Sequence, residues 1–92
     1  MSATTATILS DAELAALAPA TVVDARGAAC PGPLLEAKKG IGTVSVGAVI
    51  EIMSSDPATK GDIGAWAGKV GHEYLGALAA SGYDRVFVRR AR

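Results

Sequence analysis

Thr21-Val22-Val23-Asp24-Ala25-Arg26-Gly27-Ala28-Ala29-Cys30-Pro31-Gly32-Pro33-Leu34-Leu35-Glu36-Ala37-Lys38-Lys39-Gly40-Ile41 contains the change of hydrophobic period on which the fold turns. Thr21 to Ala25 is short and β-branched and is followed by Gly27, which predicts a strand and a turn. From Pro31 onward the apolar residues Leu34, Ala37, Ile41 and Val44 recur at spacings of three and four, the mark of one helical face. Two prolines suit the first turn of that helix, where N–H groups have no intrahelical acceptor and a fixed φ preorganises the start. Gly40 and Gly42 blur its far end, since each glycine costs about 1 kcal/mol inside a helix.

The same reading extends in both directions. Upstream, Ser10 and Glu13 are spaced as a capping box and Leu9 and Leu14 as a hydrophobic staple, so a short helix starts at Ser10 and stops by Pro19. Residues 1–20 are therefore read as an N-terminal extension, partly flexible and carrying that helix, before a domain at residues 21–92. Downstream, residues 48–53 read as a second strand. Asp56-Pro57 reads as a turn, and Thr59 with Asp62 as a further capping box. Ile63, Trp66, Ala67 and Val70 then trace a helix to about Gly71. The stretch from Tyr74 to Ala80 stays open between helix, by propensity, and a break, by Gly76 and Gly82. Tyr83 to Arg90, centred on Val86-Phe87-Val88, is a strand.

Composition bounds the class. The 92 residues are half hydrophobic, and nine Lys or Arg balance nine Asp or Glu. This is the make-up of one folded, neutral globular domain. The chain contains one cysteine. It can form no intrachain disulfide or all-cysteine metal site, which removes the secreted disulfide scaffolds and fits a reducing cytoplasm. No stretch reads as a signal peptide or a membrane span, and no His/Cys/Asp cluster has metal spacing. The expectations are a cytoplasmic protein with no metal, no cofactor and no membrane partner.

That cysteine, Cys30, stands at the mouth of the first core helix. A helix N-terminus behaves as roughly half a positive charge, which favours a thiolate and lowers its pKa from about 8.5. The N–H groups at Gly32 and Leu34 would support the anion, with Pro31 and Pro33 stiffening the turn and Lys38 and Lys39 adding charge two turns further on. His72 is expected at a helix end, with no chemistry requiring it. Gly40-Ile41-Gly42 ends a helix instead of opening one after a strand, which excludes a nucleotide-binding fingerprint.

Val23-Asp24-Ala25-Arg26-Gly27, Cys30-Pro31-Gly32-Pro33-Leu34-Leu35, Lys38-Lys39 and Asp56-Pro57-Ala58-Thr59-Lys60-Gly61-Asp62-Ile63 together resemble the TusA family of sulfur carrier proteins. The resemblance runs from about Val22 to Arg90. It implies an α/β (α+β) two-layer sandwich of order βαβαββ, with two helices on one face of a mixed four-stranded sheet, and makes the open stretch a strand near Leu75 to Ala80. It also implies that Cys30 accepts sulfane sulfur as a persulfide and relays it, which makes the chain a carrier and not a stand-alone turnover enzyme. The implied partners are a sulfur-donor protein, whether rhodanese, cysteine desulfurase or DsrE-type, and a thiol acceptor protein. Family members serve transfer RNA thiolation, molybdenum cofactor supply and sulfur oxidation. Some carry a further cysteine where this chain has Ala67, and the departure suits a relay without a resolving thiol.

Docking is expected at Lys38, Lys39, Lys60 and Arg89. Arg85, Arg89, Arg90 and Arg92 are expected on a solvated edge strand, where charge blocks edge-to-edge pairing. The alternative functions are an RNA- or protein-binding module that uses this arginine-rich strand, on a fold shared in outline with the C-terminal domain of bacterial initiation factor three, and a thiol redox sensor. The balanced net charge makes nucleic acid the weaker expectation.

Overall fold

The computed structural model describes residues 9–28 and 32–92. The expected flexibility of the first residues, and the placement of Cys30 and Pro31, lie outside the described residues. The elements are α1 (Asp11–Ala15), β1 (Thr21–Asp24), α2 (Gly32–Ile41), β2 (Val49–Ser54), α3 (Thr59–Val70), β3 (Glu73–Ala80) and β4 (Tyr83–Arg89). The strands form one mixed sheet in the order β1-β2-β4-β3. β1 and β2 run parallel through the α2 crossover, and the other pairings are antiparallel.

Alternation along the strands divides the side chains between two faces. Ile50 and Ile52 of β2 and Val86 and Val88 of β4 pack with Ala37 and Ile41 of α2 and Ile63 and Ala67 of α3 in the main core. α2 lies directly on β1. A Cβ at Gly40 would come 2.7 Å from Val23 Cγ2, so the glycine that looks like a helix breaker is a contact point where any side chain would force Val23 to shift.

The back of the sheet is also covered. α1 keeps the capping box, with Glu13 N–H donating to Ser10 Oγ at 3.2 Å and Ser10 N–H donating to Glu13 Oε1 at 2.9 Å. Its Leu14 is buried against Leu75 and Phe87, with Leu9, Leu17, Val49 and Leu78 around them. The strap formed by residues 9–17 gives the two-layer sandwich a partial third layer.

The stretch left open by its sequence is a full strand, and a bulge explains why its pattern is unclear. Tyr74 pairs with Val88 and Gly76 with Phe87, so Leu75 is an extra residue in β3. The insertion resets the alternation. Tyr74 and Ala77, three apart, both face the helices, while Leu75 and Leu78 face the strap. Gly76 has φ 133°, where residues with a side chain are strained, and its absent Cβ leaves the space taken by Leu14 Cδ1, 3.1 Å from where that atom would be.

Two expectations are corrected. β4 is a central strand between β2 and β3, not a solvated edge, and its arginines are engaged. Arg85 makes a forked pair with buried Glu51 at 3.0 and 3.1 Å, and Arg89 Nη1 meets Glu73 Oε1 at 2.9 Å. Arg90 donates to the carbonyls of Val44 and Arg92. Carboxylates on the flanking strands therefore neutralise charges that a lone edge strand would show to solvent. Thr59 and Asp62 form no capping box either. The N-cap is Ala58, without a side-chain bond, because the Thr59 hydroxyl is 2.7 Å from the buried Ser54 hydroxyl.

His72 lies where α3 ends. Its N–H and that of Gly71 both donate to the Ala67 carbonyl, and its Nδ1 accepts the Ala91 N–H at 3.1 Å. Burial, then Arg90 and Arg92, pushes its pKa below the ordinary 6.5. A folded-state value below the unfolded one means that this contribution to stability is full above pH 6.5 and is lost as pH falls through the folded value. The Trp66 ring, 5.5 Å from the His72 ring, is a built-in reporter. Trp66 emission is expected to be quenched on acidification with a midpoint below 6.5, and His72→Gln to remove the step; a midpoint above 6.5 would contradict this placement of the ring.

Candidate functional site

The C-terminal ends of β1 and β2 and the N-terminal ends of α2, α3 and β4 meet at one end of the molecule. The chain leaves β1 at Asp24 and reaches α2 at Gly32, and the lone cysteine falls between them. Both flanks are fastened. Asp24 accepts from Arg26 Nε at 2.9 Å, from Arg26 Nη2 at 2.8 Å and from the Arg26 backbone N–H at 3.2 Å. These bonds, the side-chain ones first, hold the Asp24 carboxyl down to about 2. The Arg26 guanidinium also lies 4.9 Å from the centroid of the Tyr83 ring, at the start of β4.

The next residue is tied to β2. Gly27 N–H donates to Ser55 Oγ at 2.9 Å. Ala25 N–H donates to the Met53 carbonyl at 2.8 Å, and Ala28 N–H to the Ala25 carbonyl at 3.2 Å. A Cβ at Gly32 would come 3.1 Å from the Ala28 Cβ, so the residues on either side of the cysteine segment nearly touch. Pro33 is buried, Leu34 is partly buried, and the first turn of α2 contains no acidic residue. The positive end of the helix is therefore not offset by a carboxylate of its own.

The turn from β2 to α3 forms the wall beside it. Asp56 N–H donates to Ser54 Oγ at 3.1 Å, and Ala58 N–H to Asp56 Oδ1 at 3.0 Å, which makes Asp56-Pro57 the expected turn. Lys60 follows, its Nζ 3.5 Å from Asp84 Oδ2. Of the four expected docking residues, Lys60 alone shares this end. Lys38 and Lys39 lie in the last turn of α2, roughly 9 Å along the axis from Gly32, with Lys39 3.5 Å from Glu36. Arg89 pairs in register with Val49 at the opposite end of the sheet. Among the described residues no group of His, Cys, Asp and Glu is arranged to hold a metal ion.

Arg26, Tyr83 and Ser55 were not singled out as site residues by their sequence. Asp24 and Arg26 are close enough in the chain for a fold-back to be read. Ser55 is 28 residues from Gly27, a distance at which no local pattern carries a signal.

With this geometry in view, the family described as Sulfurtransferase TusA matches residues 21–90. The chain belongs to the TusA family. A candidate sulfur carrier protein of Archaeoglobus fulgidus is 44% identical over 71 residues, which cover 77% of this chain and 97% of the relative. The sulfur carrier protein TusA of Pseudomonas entomophila is 31% identical over 68 residues, 74% of this chain and 85% of that one. The crystal structure of a SirA-like protein from Desulfitobacterium hafniense superposes with a TM-score of 0.68 at 22% identity, covering 78% of this chain and 99% of that one. That likeness shows the shared TusA/SirA-like fold.

Membership in the TusA family makes the chain a sulfur carrier, which by its nature works between a donor and an acceptor protein. Ala67 is fully buried in the main core. No helix among the described residues is long and apolar enough to cross a membrane.

Proposed function

We propose that this TusA-family carrier takes sulfane sulfur onto Cys30 as a persulfide and hands it to a thiol of an acceptor protein. The observation that carries this reading is the position of the chain's single cysteine, between a fastened strand end and a helix N-terminus free of acidic residues in its first turn. In the loading step the Cys30 thiolate attacks the terminal sulfur of a donor persulfide. An S–S bond forms on Cys30, the donor S–S bond breaks, and the donor cysteine leaves as a thiolate. No net oxidation occurs. In the unloading step an acceptor thiolate attacks the same terminal sulfur and Cys30 leaves.

The helix end favours Cys30 as an anion in both its free and its sulfur-loaded forms, with Gly32 and Leu34 as the N–H donors and Pro31 and Pro33 holding the turn. The cargo is the covalent sulfur itself, and the chemistry calls for no cofactor or metal. A rhodanese, a cysteine desulfurase or a DsrE-type protein has the chemistry of the donor. Lys60, with Lys38 and Lys39 further along α2, would meet acidic groups on either partner. A lone reduced thiol suits the cytoplasm. Sulfur oxidation is the favoured setting, on the Gly32-Pro33 variant of the motif and on Ala67, ahead of transfer RNA thiolation or molybdenum cofactor supply.

A two-stage transfer tests the relay. The chain is loaded with labelled sulfur from a persulfidated rhodanese, separated from the donor, and mixed with a reduced acceptor protein. The label is expected on an acceptor cysteine, with the chain returned to its unloaded mass. Quantitative release of the label as free sulfide, with none on the acceptor, would contradict a relay.

A further inference from the structure

Ser55 stands on a rigid base at the end of β2. The residues on either side of it are joined, Asp56 N–H donating to Ser54 Oγ at 3.1 Å, and the buried Ser54 hydroxyl is paired with that of Thr59 at 2.7 Å. From this base the exposed Ser55 hydroxyl accepts the Gly27 N–H at 2.9 Å, 28 residues away in the chain. We propose that Ser55 is a positioning residue for Cys30, acting through the turn at Gly27 to set where the thiol stands relative to the start of α2. This role rests on Cys30 being the group that takes the sulfur.

The turn passes that hold along the chain. Ala28 N–H donates to the Ala25 carbonyl at 3.2 Å, and Gly27 has φ 87°, a left-handed conformation open to glycine without strain. Ala28 then meets the start of α2, where a Cβ on Gly32 would come 3.1 Å from the Ala28 Cβ. Residues 29–31, with Cys30 in the middle, join these two nearly touching points. α2 is fixed by Ala37 and Ile41 in the main core, so releasing the turn moves one end of a very short join against a stationary helix. The effect of a helix end on a charge falls off within one turn, so a small displacement of the thiol changes how readily it ionises. The fold itself loses little, because Gly27 is exposed and water can accept its N–H in place of Ser55.

The rate at which iodoacetamide alkylates Cys30, the one thiol of the full chain, measured against pH, tests this whether or not the chain carries sulfur. Ser55→Ala is expected to move the profile to higher pH and to slow alkylation at neutral pH by about two- to fivefold, the span of a helix end's effect on an exposed charge. Ser55→Thr, which keeps the hydroxyl, should restore the unaltered profile. Neither substitution changes a charge, so Asp24, Arg26, Asp56, Lys60, Asp62 and Asp84, and the Tyr83 phenol, contribute at this end as before, and the shift reports position. Gly27→Ala strains the turn at its positive φ without a clash and should give a similar shift, to which Ser55→Ala adds nothing, since both release the same tie. The role is overturned if Ser55→Ala leaves the profile in place, if Ser55→Thr fails to restore it, if the two shifts add, or if the slowing comes with a matching fall in the urea midpoint. A chain that alkylates as expected but takes up no sulfur would overturn the relay and leave the hold of Ser55 on the thiol intact.

Discussion

Phe87→Ala is expected to lower the stability of the fold by about 3–5 kcal/mol, the usual cost of removing a fully buried aromatic ring. Phe87 belongs to a central strand but faces away from the main core, and its burial comes from the strap and from Leu75. The Arg85 guanidinium, 5.4 Å from the ring centroid, adds a contact that alanine cannot replace. A chain of 92 residues has roughly 5–14 kcal/mol in total, so the loss is about a fifth of it at the least. Urea unfolding followed by Trp66 fluorescence should show the midpoint fall steeply. Leu14→Ala takes a smaller side chain from the same cluster and should cost about 2–5 kcal/mol. A Phe87→Ala midpoint close to that of the unaltered chain would mean that the back of the sheet is not a sealed second core.

The parts of this molecule that were legible in its sequence are those specified by near neighbours. The Ser10–Glu13 box, the packing of Leu9 beside Leu14, Pro33 in the first turn of α2 and the Asp56-Pro57 turn all act within a few residues, and all stand as read. What could not be read depends on contacts distant in sequence. The bulge at Leu75 and Gly76 breaks the alternation that marks a strand, and its purpose, a seat for Leu14, lies some sixty positions upstream. Placing β4 in the centre of the sheet required its pairing with β3 and β2 together, which no property of Tyr83 to Arg89 announces. Thr59 has the residue type and spacing of a cap, yet the buried Ser54 hydroxyl takes its side chain.

The candidate site divides along the same line. The cysteine, its prolines and the helix mouth are contiguous and could be read directly. The fastening of that segment by Tyr83 and Ser55 arises only when β4 and the end of β2 arrive beside it.

Cys30→Ser carries the largest functional effect expected. Serine preserves the size and polarity of the side chain, so the fastened flanks at Asp24 to Ala28 and the start of α2 have no reason to change. What it removes is the ability to form an S–S bond, without which no sulfane sulfur can be held. The expected outcome is complete loss of loading with unfolding behaviour unaltered, a separation that a structural role for the cysteine would not give. The most direct measurement is the intact mass of the chain after incubation with a persulfide donor. The account predicts that the unaltered chain gains the mass of one sulfur atom, that dithiothreitol removes it, and that Cys30→Ser gains nothing. An unaltered chain that takes up no sulfur, or a Cys30→Ser chain that takes up as much, would contradict it.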